Sequence, residues 1–175
     1  MDIKFSKSTK PDTYNLPIGA DADSIMALLY DISMKRHEQN AIKLLGVYDE
    51  NKWFETIAIA SVVQKEAANN DEMPLVAAVV FNRLKKNMPL QMDGSLNYGQ
   101  YSHSKVTPER IRNDDSPYNT YRHKGVPPFP TGSVSLQAIQ AVLKPADVDY
   151  LYFVRDRATG GHKFSKTYEE HRSHF

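Results

Sequence analysis

Apolar residues recur at helical spacing through the first half of the chain. Four of them follow a pair of aspartates, either of which can cap a helix, and predict a first helix over about residues 24–43. A second helix is predicted over about residues 51–68. A third extends over about residues 71–86, where Asp71 can cap the helix and Pro74 falls in the tolerant first turn.

The pattern changes over residues 87–134, where glycine and proline are frequent and periodicity is weak. A loop-rich stretch of this length inside a compact domain is usually functional. It carries Tyr98, Tyr101, Tyr118 and Tyr121 among amides and aspartates, a composition that suits a sugar-binding cleft. A proline-stiffened loop fixed by tyrosines explains the same composition, and the sequence leaves both interpretations open.

The C-terminal part of the chain combines two short helices with a hairpin. Ser135 can cap a helix to about Leu143, and a β-type run at residues 150–154 can pair with residues 162–165 across a glycine-containing turn. A last short helix is predicted over residues 168–172. The whole pattern predicts an α+β fold that is mostly helical, with a small β-hairpin and a long loop-rich segment.

The composition is that of an ordinary globular protein, with 175 residues of which 41% are hydrophobic and 25% charged. One domain over residues 1–175 is the simplest division, with residues 1–20 as an extended lead-in. A net charge of +1 argues against nucleic acid as a partner. The absence of cysteine excludes disulfides, thiol nucleophiles and zinc–thiolate sites. The sequence contains no run of about 18 apolar residues, which is the length that a membrane-spanning helix needs.

The motif ASVVQKEA ends an apolar helical row on a carboxylate, Glu66. On a wheel of about 100° per residue, Ile59 and Val62 lie within about 40° of Glu66, so we expect this carboxyl on the buried face. Burial raises the pKa of a carboxyl group, and an acid that is protonated near neutral pH can protonate a glycosidic oxygen. The alternative, a helix-terminal glutamate that simply reaches solvent, stays open.

A partner carboxylate for Glu66 is not evident in the sequence. Common glycosidases use two carboxyl groups, about 5–9.5 Å apart. Glu55 shares the face of Glu66 but lies about 16 Å away along the helix axis. Asp93, Asp114 and Asp115 could approach only through folding of the loop-rich segment.

Several segments together resemble one known family. ASVVQKEA, VVFNRLKKNMPLQMDGSLNYG, YNTYRHKGVPP, YLYFV and GGHKFSKTYEEH occur in the order and spacing of the endolytic murein transglycosylases of the YceG-like (MltG) family. The resemblance covers about residues 10–172. One departure concerns the family's usual Asn-Pro-Gly, which is PTGSVS here and puts the shape of one cleft wall in doubt.

The resemblance implies lytic cleavage of peptidoglycan glycan strands, without water and without a cofactor or metal. Glu66 would protonate the glycosidic oxygen beyond N-acetylmuramic acid and then, as a carboxylate, take the proton of that sugar's own 6-hydroxyl. The product would be a 1,6-anhydro-MurNAc end, and no second carboxylate would be required. The family motif usually reads Glu-Lys-Glu; its first position is Gln64 here, on the opposite face of the wheel.

The resemblance also implies a set of substrate-binding residues, whose amides and rings are plausible sugar contacts: Asn82, Gln91, Asp93, Tyr98, Tyr118, Asn119 and Tyr121. Arg83 also falls on a family motif position, and a structural ion pair between Arg83 and Asp93 is an equally good interpretation of these two residues. His162 also falls on a family motif, where the better interpretation is that it fixes a loop.

Relatives of this family carry a membrane helix and a LysM-like module before the catalytic part, so the chain resembles an excised catalytic fragment. The implied location is the cell envelope, at the outer face of the cytoplasmic membrane, with membrane contact only through a segment missing here. Glycan strands are the implied partners, and peptidoglycan synthases are further candidates.

Two other functions remain open from the sequence. A peptidoglycan-binding or scaffolding domain with little activity of its own is the main alternative. A metal-dependent hydrolase is the more distant one, because His171-x-x-His174 has the spacing of a metal pair but lies at the chain terminus.

Overall fold

The computed structural model describes residues 14–102 and 104–175. Most of the predicted lead-in, residues 1–13, lies outside the described residues. The described residues form seven helices in chain order: α1 (Ala22–Leu45), α2 (Glu50–Glu66), α3 (Met73–Lys85), α4 (Asp93–Leu96), α5 (Pro108–Asn113), α6 (Leu136–Leu143) and α7 (Tyr168–Arg172). Two 3-10 turns, Asn70–Glu72 and Gly99–Tyr101, lie before α3 and after α4.

Polar side chains fix the helix ends. The Asp21 carboxylate accepts the Ser24 N–H at 2.8 Å, and α1 ends at Gly46 with φ 77°, a left-handed conformation that favours glycine. Asp49 caps α2 and Ser135 caps α6 in the same way as Asp21 caps α1. These caps satisfy backbone groups that the helices leave unpaired, so the ends are defined locally.

The core is built around α2, which packs against α3 and α6. Trp53 and Ile57 are fully buried, and burial continues along α2 as far as Val63. Each large apolar side chain removed from water contributes about 1.5–3 kcal/mol, so α2 is the helix on which the fold depends most. The final residue of α2, Glu66, therefore follows directly after a well-packed part of the helix.

Two strands, β1 (Tyr152–Arg155) and β2 (His162–Ser165), form an antiparallel hairpin. Tyr152 pairs with Ser165 and Arg155 with His162. The hairpin and the helices confirm the predicted α+β class.

The loop-rich segment differs from its prediction. Within residues 87–134 the structure contains α4, α5 and the 3-10 turn at Gly99–Tyr101. These helices have six residues or fewer, so they show no apolar periodicity. α4 is held by contacts with Glu66 and Thr120, which lie 28 and 25 residues from their partners along the chain, and a local pattern does not contain such contacts.

Candidate active site

Glu66 is the last residue of α2, and Ala67 caps the helix in an extended conformation. Ile59 and Val62, which share its face, are 5% and 1% exposed. The glutamate itself is partly buried, so its carboxyl lies at the boundary between the core and the surface. Such a position permits contact with a substrate and still removes much of the water around the acid.

Gly94, the second residue of α4, lies directly against Glu66. Its N–H donates to Glu66 Oε1 at 2.5 Å. A Cβ at this position would lie 2.8 Å from Lys65 Cβ and 2.9 Å from Glu66 Oε1, and Cβ atoms in proteins essentially never come within 3.0 Å of another non-bonded heavy atom. Only glycine allows the backbone to come near enough to donate this hydrogen bond.

The acidity of Glu66 follows from these surroundings. Burial raises its pKa from 4.5 to about 7, and the negative charge of Asp93 acts in the same direction. The Gly94 N–H and the positive charge of Arg83 favour the carboxylate and oppose this shift. Near neutral pH, Glu66 is therefore present in both protonation states and can serve as either acid or base.

The segment that carries Gly94 is fixed by Thr120. The Gln91 N–H donates to Thr120 O at 3.0 Å and the Met92 N–H to Thr120 Oγ1 at 3.1 Å, while Ser95 Oγ lies 2.9 Å from the same hydroxyl. Gln91 has φ 49°, a left-handed conformation that is strained for a residue with a Cβ. Its side chain is exposed.

Asp93 and Tyr121 form a polar pair beside the acid. The Tyr121 hydroxyl donates to Asp93 Oδ1 at 2.7 Å. Burial, the hydrogen bond to Asp93 and the negative charges of Asp93 and Glu66 all raise the pKa of Tyr121, so its hydroxyl remains protonated. The predicted contacts Asp93 and Tyr121 are thus brought together next to Glu66.

The tyrosines of the loop-rich segment form an aromatic group. The rings of Tyr98 and Tyr118 stack with centroids 4.1 Å apart and planes 19° apart, and Tyr101 meets Tyr98 edge-on at 6.3 Å. The Arg110 guanidinium lies 4.1 Å from the Tyr101 ring centroid and also donates to Leu96 O. Two of the predicted sugar contacts, Tyr98 and Tyr118, belong to this group and are partly buried.

Two predicted substrate contacts have structural positions instead. Asn119 is 0% exposed, and its amide nitrogen donates to Ile111 O and Asp114 O, each at 2.8 Å. These contacts enclose the Asn119 side chain, and its role as a substrate contact stays a prediction. Asn82 is partly buried and donates to Val148 O and Tyr150 O, at 2.8 and 3.0 Å, which joins α3 to the start of the hairpin.

The predicted ion pair between Arg83 and Asp93 is not formed. Arg83 is 7% exposed and donates to two backbone carbonyls, those of Leu90 and Leu151, both at 2.6 Å. Asp93 is exposed and accepts a hydrogen bond from the Tyr121 hydroxyl.

Other carboxylates do not join Glu66. Asp114 pairs with Arg110 at 3.6 Å, and Asp115 pairs with Arg122 at 2.5 Å. Glu55 is exposed and lies eleven residues before Glu66, about two thirds of the length of α2. Asp93 is the one carboxylate whose charge contributes to the pKa of Glu66 among the described residues.

Gln64 contacts a different part of the fold. Its amide nitrogen donates to Ser133 O at 3.0 Å and its oxygen accepts the Ser135 N–H at 2.6 Å. Gln64 therefore links α2 to the segment before α6. Both bonds go to backbone, as the opposite wheel position of Gln64 allows.

Glu72 is a neighbour of the site that sequence reasoning missed. Its carboxylate accepts the N–H of Ala68 at 3.1 Å and that of His162 at 2.8 Å, and lies 2.7 Å from His162 Nδ1. Burial acts to raise the pKa of Glu72, but these hydrogen bonds outweigh it and the pKa lies below its usual value. His162 thus ties the hairpin to the turn that follows Glu66.

Gly94 and Thr120 were also missed. The only signal of Gly94 is its place beside Asp93 in QMDGS, and Thr120 lies among predicted sugar contacts. A glycine or a threonine in a sequence does not by itself indicate a role. The close approach of Gly94 depends on Glu66, and the contacts of the Thr120 hydroxyl depend on Met92 and Ser95.

The described residues contain no group of three or more His, Cys, Asp or Glu side chains placed to hold a metal ion. His171 instead stacks on Tyr152 with ring centroids 5.3 Å apart. Within residues 14–102 and 104–175, no helix is both long and apolar enough to cross a membrane.

The fold and the site together define a class of protein: an α+β domain in which one partly buried carboxyl of raised pKa ends the central helix, beside a close glycine and a group of tyrosines. The chain belongs to the YceG-like family, whose model matches residues 7–175. The resemblance drawn from the sequence is confirmed.

Three relatives illustrate this membership. An endolytic murein transglycosylase of Bacillus subtilis is 34% identical over 142 residues, which are 81% of this chain and 36% of that protein. One of Streptococcus pneumoniae is 37% identical over 122 residues, 67% of this chain and 22% of that protein. The crystal structure of a yceG-like protein from Listeria monocytogenes matches with a TM-score of 0.75 at 32% identity, covering 94% of this chain and 53% of that chain. The chain thus spans about a third or less of the length of these two transglycosylases.

Proposed function

We propose that the chain is the catalytic domain of a peptidoglycan lytic endotransglycosylase, with Glu66 as its acid and base. The observation that carries this proposal is the raised pKa of Glu66, about 7, at a carboxyl that is held by the Gly94 N–H and reaches the surface. The names of the Bacillus and Streptococcus relatives support the choice of murein as the substrate.

The proposed reaction uses one carboxyl group twice. Protonated Glu66 gives its proton to the glycosidic oxygen between MurNAc and GlcNAc, and the bond from that oxygen to the anomeric carbon breaks with its electron pair on the oxygen. The Glu66 carboxylate then takes the proton of the MurNAc 6-hydroxyl, whose oxygen bonds to the anomeric carbon. The products are a GlcNAc hydroxyl and a 1,6-anhydro-MurNAc end, with no water consumed.

The proposed substrate contacts are the exposed and partly buried polar groups near this acid. Asp93 and Tyr121 lie beside Glu66 and can bind sugar hydroxyls, and the exposed Gln91 side chain offers an amide. The stacked rings of Tyr98 and Tyr118 offer an apolar surface for a sugar ring.

The proposed setting is a single catalytic domain over residues 1–175 of an envelope protein. It would act on nascent glycan strands at the outer face of the cytoplasmic membrane, where peptidoglycan synthases are candidate partners. Because the chain spans only 36% of the Bacillus relative, a strand-binding domain with little activity of its own is the second candidate.

The test is incubation with purified, uncrosslinked glycan strands, followed by mass analysis of the products. We expect internal cleavage and anhydro ends, and no cleavage by Glu66→Gln. Ends that are one water heavier would make the protein a hydrolase, with Asp93 as the candidate second carboxylate. Binding of strands without cleavage would favour the second candidate.

A further inference from the structure

Arg83 is a buried cation with no ionic partner of its own. At 7% exposure, it donates through Nη1 to Leu90 O and through Nε to Leu151 O, and no described carboxylate lies within ion-pair distance of it. Its guanidinium also lies 5.4 Å from the Tyr152 ring centroid. A buried charge is costly unless another charge compensates it, so an opposite charge is expected nearby.

The contacts of Arg83 lead directly to the catalytic acid. Leu90, whose carbonyl accepts from Nη1, is itself 1% exposed and precedes by four residues the glycine that donates to Glu66. The segment from Leu90 to Gly94 is thus held by Arg83 at its start, by Thr120 in its middle and by Glu66 at its end. Displacing the start of such a short segment would move the N–H that binds the acid.

The charge of Arg83 also acts on the acid. It favours the carboxylate form of Glu66 and so lowers the pKa of that group, against the larger effect of burial. Burial disfavours the charged form of Arg83 and lowers its pKa, and the negative charge of Glu66 acts to raise that pKa. The charged and titratable groups around Glu66 are its chain neighbour Lys65, Arg83 on α3, Asp93 on α4 and Tyr121; Tyr152 and His171 lie near Arg83.

We propose that Arg83 is a positioning residue of the active site, which fixes the segment bearing Gly94 and supplies the buried positive charge that stabilises Glu66 as a carboxylate. This proposal rests on the proposed function, in which Glu66 must exist as a carboxylate halfway through the reaction. Arg83 touches no substrate in this role. It acts through Glu66 and through Leu90.

Two substitutions separate charge from geometry. Arg83→Gln removes the positive charge but keeps a hydrogen-bond donor, and Arg83→Lys keeps the charge but loses the forked contact with two carbonyls. In Arg83→Gln, the limb of the kcat profile that falls as Glu66 ionises should move to higher pH by about one unit, and maximal kcat should fall about tenfold. In Arg83→Lys, kcat should fall while the limb stays at the wild-type pH.

Arg122→Gln is the matched control. Arg122 also donates to a backbone carbonyl, that of Arg112, but it is exposed and pairs with Asp115. It should leave both kcat and the profile unchanged. Loss of kcat in both Arg83 variants with no movement of the limb would overturn the electrostatic role and leave Arg83 as part of the fold alone.

A second measurement needs no change at Arg83, in case its variants fail to fold. The Nε–H signal of Arg83 is followed by ¹⁵N NMR across the pKa of Glu66 in the wild-type protein and in Glu66→Gln. We expect the signal to titrate with a midpoint near 7 in the wild type and to lack that midpoint in Glu66→Gln. A wild-type signal without a midpoint near 7, or one whose midpoint is unchanged in Glu66→Gln, would refute the coupling. Failure of the transglycosylase assay would not affect this titration, so the two proposals can fail separately.

Discussion

Two glutamates on the same side of α2 have opposite fates. Glu55, in the N-terminal half, is exposed beside a groove of about 320 Å³ that Phe54, Pro127 and Pro128 help to line. Glu66, at the C-terminal end, lies against Gly94 and has a pKa raised to about 7. The two residues are of one chemical type and on one helical face. The segments that pack on each end of the helix therefore decide which one can act as an acid.

The comparison is tested most strongly by exchanging each glutamate for glutamine. Glu66→Gln keeps the volume of the side chain but cannot transfer a proton, so strand cleavage should fall by about 10²–10⁴-fold or more. Glu55→Gln should cleave at the wild-type rate. Initial rates of anhydro-product formation measure both. Cleavage by Glu66→Gln within tenfold of wild type would place the acid elsewhere.

The second test inserts one methyl group beside the acid. In Gly94→Ala the new Cβ would meet Lys65 Cβ and Glu66 Oε1 below 3 Å, so α4 must move away and the hydrogen bond to Glu66 must lengthen. We expect a loss of about 100-fold in kcat, typical of a displaced catalytic group. Gly132→Ala is the control, because its Cβ would lie 3.6 Å from Lys65 Cε, an ordinary contact. Equal rates for the two variants would contradict this account of Gly94.

The third test removes the Asp93 charge that acts on Glu66. Asp93 raises the pKa of Glu66, so Asp93→Asn should lower that pKa and move the falling limb of the rate profile to lower pH. At neutral pH we expect about a tenfold loss, from the smaller protonated fraction and a weakened sugar contact. Profiles of kcat against pH measure the movement. Complete loss of cleavage would instead point to Asp93 as a nucleophile.

The smallest expected effect is on stability. Glu66 keeps its proton in the folded state up to about pH 7, whereas the unfolded chain loses it near 4.5. Stability is therefore lost as pH rises through this window, and the full penalty is present above it. Glu66→Gln should unfold like wild type near the lower value and be more stable above the upper one, by about 1–3 kcal/mol.

Urea unfolding at the two ends of this window measures the difference in the free energy of unfolding. Glu55→Gln, a change at an exposed position of the same helix, is the control under the same conditions. A stability difference for Glu66→Gln that is the same at both pH values would mean that folding does not desolvate the Glu66 carboxyl.

Several features could be predicted because they depend on neighbours along the chain. The helices α1, α2, α3 and α6 follow from apolar periodicity and local caps, and the helical wheel placed Glu66 in line with Ile59 and Val62, which are buried. The hairpin follows from two β-type runs around a turn. Family motifs added the chemistry, which periodicity alone did not contain.

Other features were decided only when distant segments met. Asn119 is a residue type that often contacts sugars, yet its buried amide donates to the carbonyls of Ile111 and Asp114. Arg83 has a possible partner in Asp93, yet it binds two carbonyls while Asp93 turns to Tyr121. A polar side chain satisfies whichever buried group it meets first in the folded state, and the sequence does not specify that group.

The sequence by itself determined α1, α2, α3, α6 and α7, the hairpin, and the position of Glu66 in line with an apolar face, because side-chain spacing along a helix or strand fixes which residues share a side. The tertiary structure alone decided that Gly94 donates to this glutamate, that Thr120 holds the donor in place and that Arg83 lies buried behind the segment. The pKa of a carboxyl depends on solvent, charges and donors within a few ångströms. In this protein Arg83, Asp93 and Gly94 lie 17, 27 and 28 residues after Glu66 along the chain, so only folding brings them to this carboxyl.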